Sequence, residues 1–479
     1  MSISKNFSYN LLLTFCNYLF PILTYPYISR VLGVVNIGVC NFVDSIIDYF
    51  ILFSMLGVGS YGVREIARCK DDIARRNDVF TNLFLINIFL TTCSILVLAL
   101  CIIYVPQLQE YRKFLGIGIF KIVFNLFLIE WFFQGIEQFK YITIRSVFVR
   151  LAYVIAIFIF VKSESDTSVY YLLTVLVIVV NALLNWSYSR RFRNFNFKSI
   201  SVGAYIIPIA IFGYYRVLTS MYTTFNTTFL GFSSGEMEVG YFTTACKLYT
   251  IILSVFTAFT TVMIPRVSVM LENKEINALM RVSNKTFEGL FAVACPMIVF
   301  CIVYASQIIF LISGSGYEGA VIPFKIVIAL LLVIGMEQIV IQQFLMALQT
   351  NKPVLWVSTI GAIVGLSFNI LLTPKLGAIG SAIAWVLSEI AVLFTGIKLM
   401  RKYIGFCFED KILGRLFLCG AVYALISLSF SFLFSSWIAF TLSLLGCIIS
   451  FFIFYVFVFK DSVVYSTFVS LSTMLARHK

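Results

Sequence analysis

The chain alternates long apolar runs with short polar connections, and this pattern predicts a bundle of membrane-spanning helices. A helix needs about 20 apolar residues to cross a bilayer, and run after run reaches that length. We count 14 candidate spans, near 8–30, 37–61, 80–104, 114–134, 145–161, 169–189, 203–230, 239–264, 284–312, 320–348, 354–373, 379–399, 413–433 and 437–459. The pattern therefore predicts an all-α integral membrane protein that crosses the bilayer many times.

Polar side chains recur at helical spacing inside four of these spans. The stripes are Asn10, Thr14, Asn17, Pro21 and Thr24 in helix one; Asn41, Asp44, Ser45 and Asp48 in helix two; Arg216, Ser220, Thr223 and Thr227 in helix seven; and Thr243, Lys247, Thr250, Ser254, Thr257 and Thr261 in helix eight. Such spacing keeps side chains on one helical face. Serine and threonine can also bond their own backbone or join neighbouring helices. Because these stripes include charged residues, we favour a polar cavity.

The second half of the chain echoes the first. Gly38 precedes Arg64 by the same number of residues as Gly240 precedes Arg266. Further matches are Asn82 with Asn284 and Leu32-Gly33 with Leu230-Gly231. These matches predict two six-helix lobes in the same orientation, a parallel pseudo-repeat around a central cavity, with two extra C-terminal helices. The alternative is chance matching in a sequence of biased composition.

The repeat gives a division into three parts: 1–200 as an N-terminal lobe of helices one to six, 201–402 as a C-terminal lobe of helices seven to twelve, and 403–479 as helices 13 and 14 with a cytoplasmic tail. Composition agrees with a membrane protein, because 61% of the 479 residues are hydrophobic and only 12% are charged. No soluble domain of this size has such a composition.

The distribution of basic residues predicts the orientation. The net charge is +13, and most of the 35 Lys and Arg residues fall on one side of the predicted bundle. The opposite side holds Arg30, Arg112, Lys113, Lys162 and Lys375. Cytoplasmic loops are enriched in Lys and Arg, so both termini are predicted to be cytoplasmic. No loop is long enough for a basic nucleic-acid-binding domain, and no signal-peptide cleavage pattern follows the N-terminus, so we expect a retained first span.

The sequence lacks the residue patterns that metal binding, redox chemistry and nucleotide binding require. The 11 cysteines never form C-x-x-C, and we interpret them as small buried hydrophobic residues. The single histidine, His478, lies in the tail, and no phosphate-binding G-x-x-x-x-G-K-[ST] motif is present. The sequence therefore predicts no metal, no cofactor and no catalytic residue. A multispan enzyme would also be expected to place its catalytic residues on a sizeable outer loop, and the outer loops here are short.

Charges inside the spans are the main candidates for function. A charge near the bilayer centre costs about 2.5–3.5 kcal/mol, and Arg216 lies near mid-span, with Lys247 and Lys121 also deep. An arginine suits phosphate because its planar fork gives bidentate hydrogen bonds. The alternative is an ion pair with one of the intramembrane acids Glu130, Glu288, Glu337 and Glu389. Arg30 is either a second phosphate contact or an interfacial anchor, and its position favours the anchor.

Short motifs in three regions of the chain carry a resemblance to a known family. The sequence YPYISRVLG at 25–33 and YGVRE at 61–65 resemble the opening of Wzx-type polysaccharide flippases, which carry O-antigen or capsule repeat units. FQGIE at 133–137 with KYIT at 140–143, and NILL at 369–372 followed by Pro374 and LGAIGSA at 376–382, resemble later parts of the same family. The similarity covers nearly the whole chain. The family belongs to the MATE/MOP exporter superfamily, which also includes lipid II flippases.

The resemblance implies a substrate and a route. It implies that an undecaprenyl-pyrophosphate-linked oligosaccharide crosses the bacterial inner membrane by alternating access, while its prenyl tail stays in membrane lipid. The implied cavity residues are Arg30, Arg216 and Lys247 for the pyrophosphate, with Asn17, Thr223 and Thr250 among the polar residues facing sugars. Other polysaccharide-assembly membrane proteins are the expected partners, and no nucleic acid is. The acidic pair Asp44 and Asp48 departs from a cationic cavity, and it could bind a coupling proton or Na⁺.

The main alternative is a MATE-like exporter of a small molecule. In that case Asp44 and Asp48 would drive the export of a cationic cargo. Arg216 and Lys247 argue against this reading, because they would repel a cation in the same cavity.

Overall fold

The computed structural model describes residues 3–198, 200–273, 275–345, 352–405 and 410–459, and these residues form helices without any strand. Within them, nine helices are long and apolar enough to cross a membrane, or ten if the bent pair Gly203–Ser220 and Thr224–Ser234 is one span. The predicted all-α, multi-pass membrane architecture is therefore confirmed, and the count of 14 stays a prediction. The tail 460–479, with His478, lies outside the described residues.

Contacts divide the chain into two compact units, and each is described by itself. The first comprises residues 1–243 and 369–377. Its helices are α1 (Ile3–Met55), α2 (Val58–Arg68), α3 (Ile73–Tyr104), α4 (Pro106–Gln109), α5 (Arg112–Leu128), α6 (Glu130–Gly135), α7 (Phe139–Phe160), α8 (Thr167–Ser189), α9 (Gly203–Ser220), α10 (Thr224–Ser234) and the first turns of α11 (Glu236–Glu272), with a 3₁₀ turn at Glu164–Asp166. The candidate site described below lies in this unit.

The second unit comprises residues 244–368 and 378–479. Its further helices are α12 (Ile276–Val303), α13 (Ala305–Ser313), α14 (Val321–Val327), α15 (Leu330–Glu337), α16 (Lys352–Ile404), α17 (Asp410–Leu433) and α18 (Ser436–Phe452), with a 3₁₀ turn at Glu318–Ala320 and π-helical turns at Gln338–Leu345 and Ile453–Val458. A polar contact joins the junction between α12 and α13 to α18, because the Tyr304 hydroxyl lies 2.6 Å from the Ser443 hydroxyl. The division at 200 and 402 stays a prediction.

The first helix is long enough for two crossings and is interrupted between them. Its 53 residues would extend about 80 Å as one helix. Gly33 breaks the helical backbone with φ 74° and ψ 169°, a conformation that glycine adopts without steric cost. Before the break, Pro26 lacks a backbone donor, and the Ser29 hydroxyl donates to the Tyr25 carbonyl at 2.8 Å. The missing N–H of Pro26 leaves the Ile22 carbonyl without its helical partner, so the helix is weakened one turn before Pro26.

Two glycines let α1 and α11 approach each other closely. A Cβ atom on Gly38 would lie 1.8 Å from the Glu236 carbonyl oxygen, and one on Gly240 would lie 2.3 Å from the Val34 carbonyl oxygen. Both obstructing atoms belong to backbone, which cannot rotate away. Small residues at such crossings are a common device for packing helices in membranes.

We expect Gly38→Ala to destabilise the protein, because the added methyl group would force the backbones of α1 and α11 apart. Overpacking of this kind costs about 1–3 kcal/mol. The matched control is Gly116→Ala in α5, where a Cβ would meet no atom within 4 Å and helix propensity favours alanine. Thermal unfolding of the purified variants measures the difference. Equal unfolding temperatures for the two variants would contradict the close approach.

The connection after α8 is fixed onto the first unit by an arginine and an asparagine. The Arg193 guanidinium lies 3.8 Å above the Trp186 ring. Burial, and secondly the charge of Arg190, lower the pKa of Arg193 to about 10. The Asn82 side-chain oxygen accepts a hydrogen bond from the Ser201 backbone at 2.7 Å. Asn82, one of the repeated positions, therefore holds this connection in place.

Candidate functional site

A cavity of about 620 Å³ opens in the first unit where five helices meet. It is lined by Asp48, Tyr49, Ile51, Leu52, Met55, Leu56, Gly59, Ser60, Asn125, Tyr215, Arg216, Thr219, Ser220, Thr223 and Thr224. These residues come from α1, α2, α5, α9 and α10 and the breaks between them. The cavity brings together three of the predicted site residues, Asp48, Arg216 and Thr223.

Close backbone packing places α9 against α1 and α2. A Cβ atom on Gly57 would lie 2.0 Å from the Ile209 carbonyl oxygen, and one on Gly213 would lie 2.3 Å from Leu56 Cγ. Leu56 itself has a positive φ of 40°, in the break between α1 and α2. The glycines therefore let α9 lie against this break, and Arg216 follows Gly213 by one helical turn.

The broken helix pair α9–α10 forms one wall of the cavity. The two helices are bent by 48°, and the Tyr49 hydroxyl donates to the Ser220 carbonyl at 3.1 Å beside the break. Thr223 precedes α10 but its side chain does not cap the helix. The first backbone N–H groups of a helix have no partner within it. Irregular backbone at membrane depth is tolerated where it lines a cavity, as it does here.

Sequence reasoning missed this break and predicted a single helix over 203–230. Neither glycine nor proline marks the interruption, which falls within Ser220–Thr224. The cluster of hydroxyl residues was the available signal, because Ser and Thr are favoured at helix N-caps. The cavity also includes Asn125, which sequence reasoning did not select. Its buried amide nitrogen has no hydrogen-bond partner among the described residues, so it is a donor that a ligand could engage.

Arg216 is exposed and makes no ion pair within the described part of the chain. Three of the four glutamates considered as its partners are engaged elsewhere: Glu130 with Arg145, Glu288 with Arg415, and Glu389 with the Trp385 indole. The ion-pair alternative for Arg216 therefore finds no support in the described residues. Its guanidinium is available to a ligand in the cavity.

Two positive features converge on this cavity. Arg216 supplies a full charge, and the N-terminus of α10 at Thr224 supplies the positive end of a helix dipole. Helix N-termini and arginine forks both bind phosphate oxygens well. Asp48 lines the same cavity and is exposed in it. The arrangement can hold an anion beside Arg216 and a proton or small cation at Asp48.

The neighbouring acid Asp44 is already paired. The Lys121 ammonium lies 2.6 Å from Asp44 Oδ1, and it also lies 4.8 Å from the centre of the Tyr171 ring. The Lys121 side chain is only 7% exposed, against 35% for Asp44. This pair explains how Lys121 is accommodated at membrane depth, and it leaves Asp48 as the acid of the two that faces the cavity without an ion pair in the described residues.

The other predicted site residues do not line this cavity or have side chains outside the described residues. Arg30 is exposed on α1 and is not among the residues that line the cavity. Lys247 and Thr250 are exposed on the part of α11 that belongs to the second unit. The side chain of Asn17 lies outside the described residues.

The match that shows the family covers nearly all of the first 271 residues. The chain matches the family described as polysaccharide biosynthesis protein over residues 3–271, which is more than half of its length. The chain belongs to this family.

Relatives of this polysaccharide biosynthesis protein are known by sequence and by structure. A protein of Escherichia coli K12, named a candidate O-antigen transporter, is 24% identical over 412 residues, which cover 84% of this chain and 96% of that protein. The lipid II flippase MurJ in an inward closed conformation superposes with a TM-score of 0.78 at 14% identity, covering 95% of this chain and 99% of MurJ. An inward-facing MATE multidrug transporter of the MOP superfamily superposes with a TM-score of 0.58 at 16% identity, covering 85% and 95%.

The two structural likenesses show that this member of the polysaccharide biosynthesis protein family shares its fold with MurJ and with the MATE transporter. The family match and the relatives confirm the family resemblance predicted from the sequence. The relatives named above are a transporter and a flippase, not enzymes. Over the parts of the chain that the structure describes, no group of three or more His, Cys, Asp or Glu residues could hold a metal ion.

Proposed function

We propose that this polysaccharide biosynthesis protein translocates an undecaprenyl-pyrophosphate-linked oligosaccharide from the cytoplasmic to the periplasmic leaflet of the bacterial inner membrane. The observation that carries the proposal is the pairing of Arg216 with the N-terminus of α10 in a membrane cavity. A pyrophosphate is the anionic part of such a substrate. It would supply the negative charge that Arg216 and the N-terminus of α10 attract. The names of the relatives, an O-antigen transporter and a lipid II flippase, support the same class of cargo.

The chemistry of the cavity fits the three parts of this substrate. The pyrophosphate would accept hydrogen bonds from Arg216 and from the backbone N–H groups that begin α10. The neighbouring sugars would bond with the hydroxyls and amide that line the wall, Tyr49, Thr219 and Asn125 among them. The prenyl tail would remain in lipid, because an apolar chain gains nothing by entering a polar cavity.

We propose the two-lobe architecture as the frame for alternating access. Gly38 and Gly240 are equivalent positions of the predicted repeat, and both lie where α1 and α11 cross closely. The same offset relates Asn41 to Thr243, and the Asn41 amide donates to the Thr243 hydroxyl at 3.0 Å. Equivalent residues meet in this way beside the axis of a pseudo-symmetric repeat. Breaks at Gly33 in α1 and at Gly377 in α16 divide two long helices, which favours a span count nearer 14.

We also propose that Asp48 is the coupling site. It lies in the cavity with Arg216, so a proton or Na⁺ bound at Asp48 would change the local charge that the pyrophosphate meets. Asp44 would act indirectly, because Lys121 neutralises it. The termini would be cytoplasmic, as the basic loops predict. Other membrane proteins of polysaccharide assembly would deliver or receive the lipid-linked substrate.

A MATE-like exporter of a small cation is the second candidate. The presence of Asp48 in the cavity and the fold likeness to a MATE transporter favour it. Arg216 in the same cavity opposes it, because the guanidinium would repel a cationic cargo that approached Asp48.

Reconstitution in proteoliposomes tests the proposal. We expect the protein to accelerate the movement of a fluorescent undecaprenyl-pyrophosphate oligosaccharide between leaflets. The movement is measured by the access of a membrane-impermeant quencher to the fluorophore. An imposed proton or Na⁺ gradient should change the rate, and Asp48→Asn should remove that dependence. Protein-free vesicles are the control. Absence of acceleration, together with efflux of a cationic dye from the same vesicles, would contradict the flippase function and support the exporter function.

A further inference from the structure

A groove runs along the outer faces of α7 and α8, away from the Arg216 cavity. It consists of two adjoining cavities of about 550 and 330 Å³, which share Phe148 and Val149. The lining of the larger includes Lys140, Tyr141, Arg145, Phe148 and Tyr188. The lining of the smaller includes Phe148, Ala152, Ala156, Leu176 and Val180. One end of the groove is thus basic and aromatic, and the other is almost wholly apolar.

The basic end carries a net positive charge. Glu130 is paired with Arg145 at 2.7 Å, and Glu137 is paired with Lys70 at 2.9 Å, so both nearby acids are neutralised. Lys140 is exposed and has no acidic partner in the described ranges. Arg191 adds a second exposed charge, since its guanidinium lies 5.2 Å from the centre of the Tyr188 ring that lines the groove.

Tyrosines form the boundary between the basic end and the apolar track. The rings of Tyr141 and Tyr188 stack with their centres 3.8 Å apart, and together they join α7 to α8 at this level. Tyrosine is enriched where the polar headgroups of a bilayer meet its hydrocarbon core. We therefore expect Lys140 to lie at headgroup level and Phe148 to lie below it, in hydrocarbon.

The length of the apolar track matches one leaflet. From Phe148 to Ala156 the helix rises about 12 Å, at about 1.5 Å per residue. Half of the hydrocarbon core is about 15 Å. A glycerophospholipid whose headgroup lay at Lys140 would extend an acyl chain over this track. A much longer prenyl chain would overrun it.

We propose that this groove is a binding site for one anionic glycerophospholipid, with its phosphate headgroup beside Lys140 and Arg191 and an acyl chain along α7 and α8. Charge complementarity selects the headgroup, because the uncompensated basic side chains attract an anionic lipid more strongly than a zwitterionic one. The groove shares no lining residue with the Arg216 cavity. The site is therefore separate from that proposed for the substrate, and it does not depend on the flippase function.

The test measures bound lipid directly. The protein is purified from vesicles that contain equal amounts of phosphatidylglycerol and phosphatidylethanolamine, and the retained lipid is quantified by native mass spectrometry. We expect wild-type protein to retain phosphatidylglycerol preferentially. In the double variant Lys140→Gln with Arg191→Gln, its affinity should fall about thirtyfold, since each basic side chain near a membrane surface contributes about a fivefold factor.

Two further variants make the result decisive. Ala156→Phe should fill the apolar track and reduce retention while leaving the basic end intact. The control double variant, Lys113→Gln with Lys162→Gln, removes two exposed basic side chains outside the groove lining and should retain lipid as wild type does. Equal retention in all variants, or equal binding of both lipids by the wild type, would overturn the proposal. So would recovery of a prenyl phosphate in place of phosphatidylglycerol.

Discussion

Arg216→Ala is expected to stop translocation of the lipid-linked oligosaccharide while the protein accumulates normally. The side chain is exposed in the cavity and forms no ion pair in the described residues, so its removal leaves no acid without a partner. Hydrogen bonds to a charged group contribute about 1.5–3 kcal/mol, which corresponds to about a tenfold to hundredfold loss of affinity for the pyrophosphate. In cells whose surface glycan depends on this protein, the glycan should therefore disappear.

Two companion variants separate charge from geometry. Arg216→Lys keeps the charge but loses the planar fork, and we expect intermediate activity. Arg112→Ala is the matched control, because it removes an exposed arginine that does not line the cavity. Surface glycan and protein abundance are measured together, and the vesicle assay gives the rate directly. Full glycan display with Arg216→Ala would exclude this residue from the substrate path.

The sequence could predict the helices and the charged residues of the cavity, because both follow from the cost of exposing polar groups to lipid. Apolar runs of membrane length indicate spans whatever their neighbours. Arg216 and Asp48 stand out for the opposite reason, since a charge in a span needs water, a partner or a ligand. The two residues belong to distant helices, α9 and α1, and the structure places both in one cavity.

The partner of Lys121 could not be predicted from the sequence, and the break after Ser220 was marked only by its hydroxyl residues. Periodicity reports which residues share a helical face, but it does not report which helices meet. Lys121 on α5 had several acids within possible reach, and only the packing of α5 on α1 selects Asp44. The close crossing at Gly38 shows the same limit. The repeat marked that glycine, whereas its contact with Glu236 depends on tertiary structure.

Asp44→Asn is expected to destabilise the protein more than Lys121→Met does. Each variant leaves the other member of the same ion pair without its partner. Asparagine would leave the Lys121 ammonium, only 7% exposed, without its counter-charge, whereas methionine would leave an Asp44 carboxylate that is 35% exposed and can reach water. Removing one partner of a buried pair costs about 3–5 kcal/mol, and the more buried partner should set the larger cost.

The double variant decides whether the pair acts as a unit. Asp44→Asn with Lys121→Met removes both charges, so it should unfold at a higher temperature than Asp44→Asn alone, because no uncompensated ammonium remains. Asp48→Asn is the control one helical turn away, and it should change stability little because Asp48 makes no ion pair in the described residues. Thermal unfolding of the wild type, the two single variants and the double variant gives the coupling energy. Strictly additive losses would show that Lys121 does not depend on Asp44, and that its charge is compensated in another way.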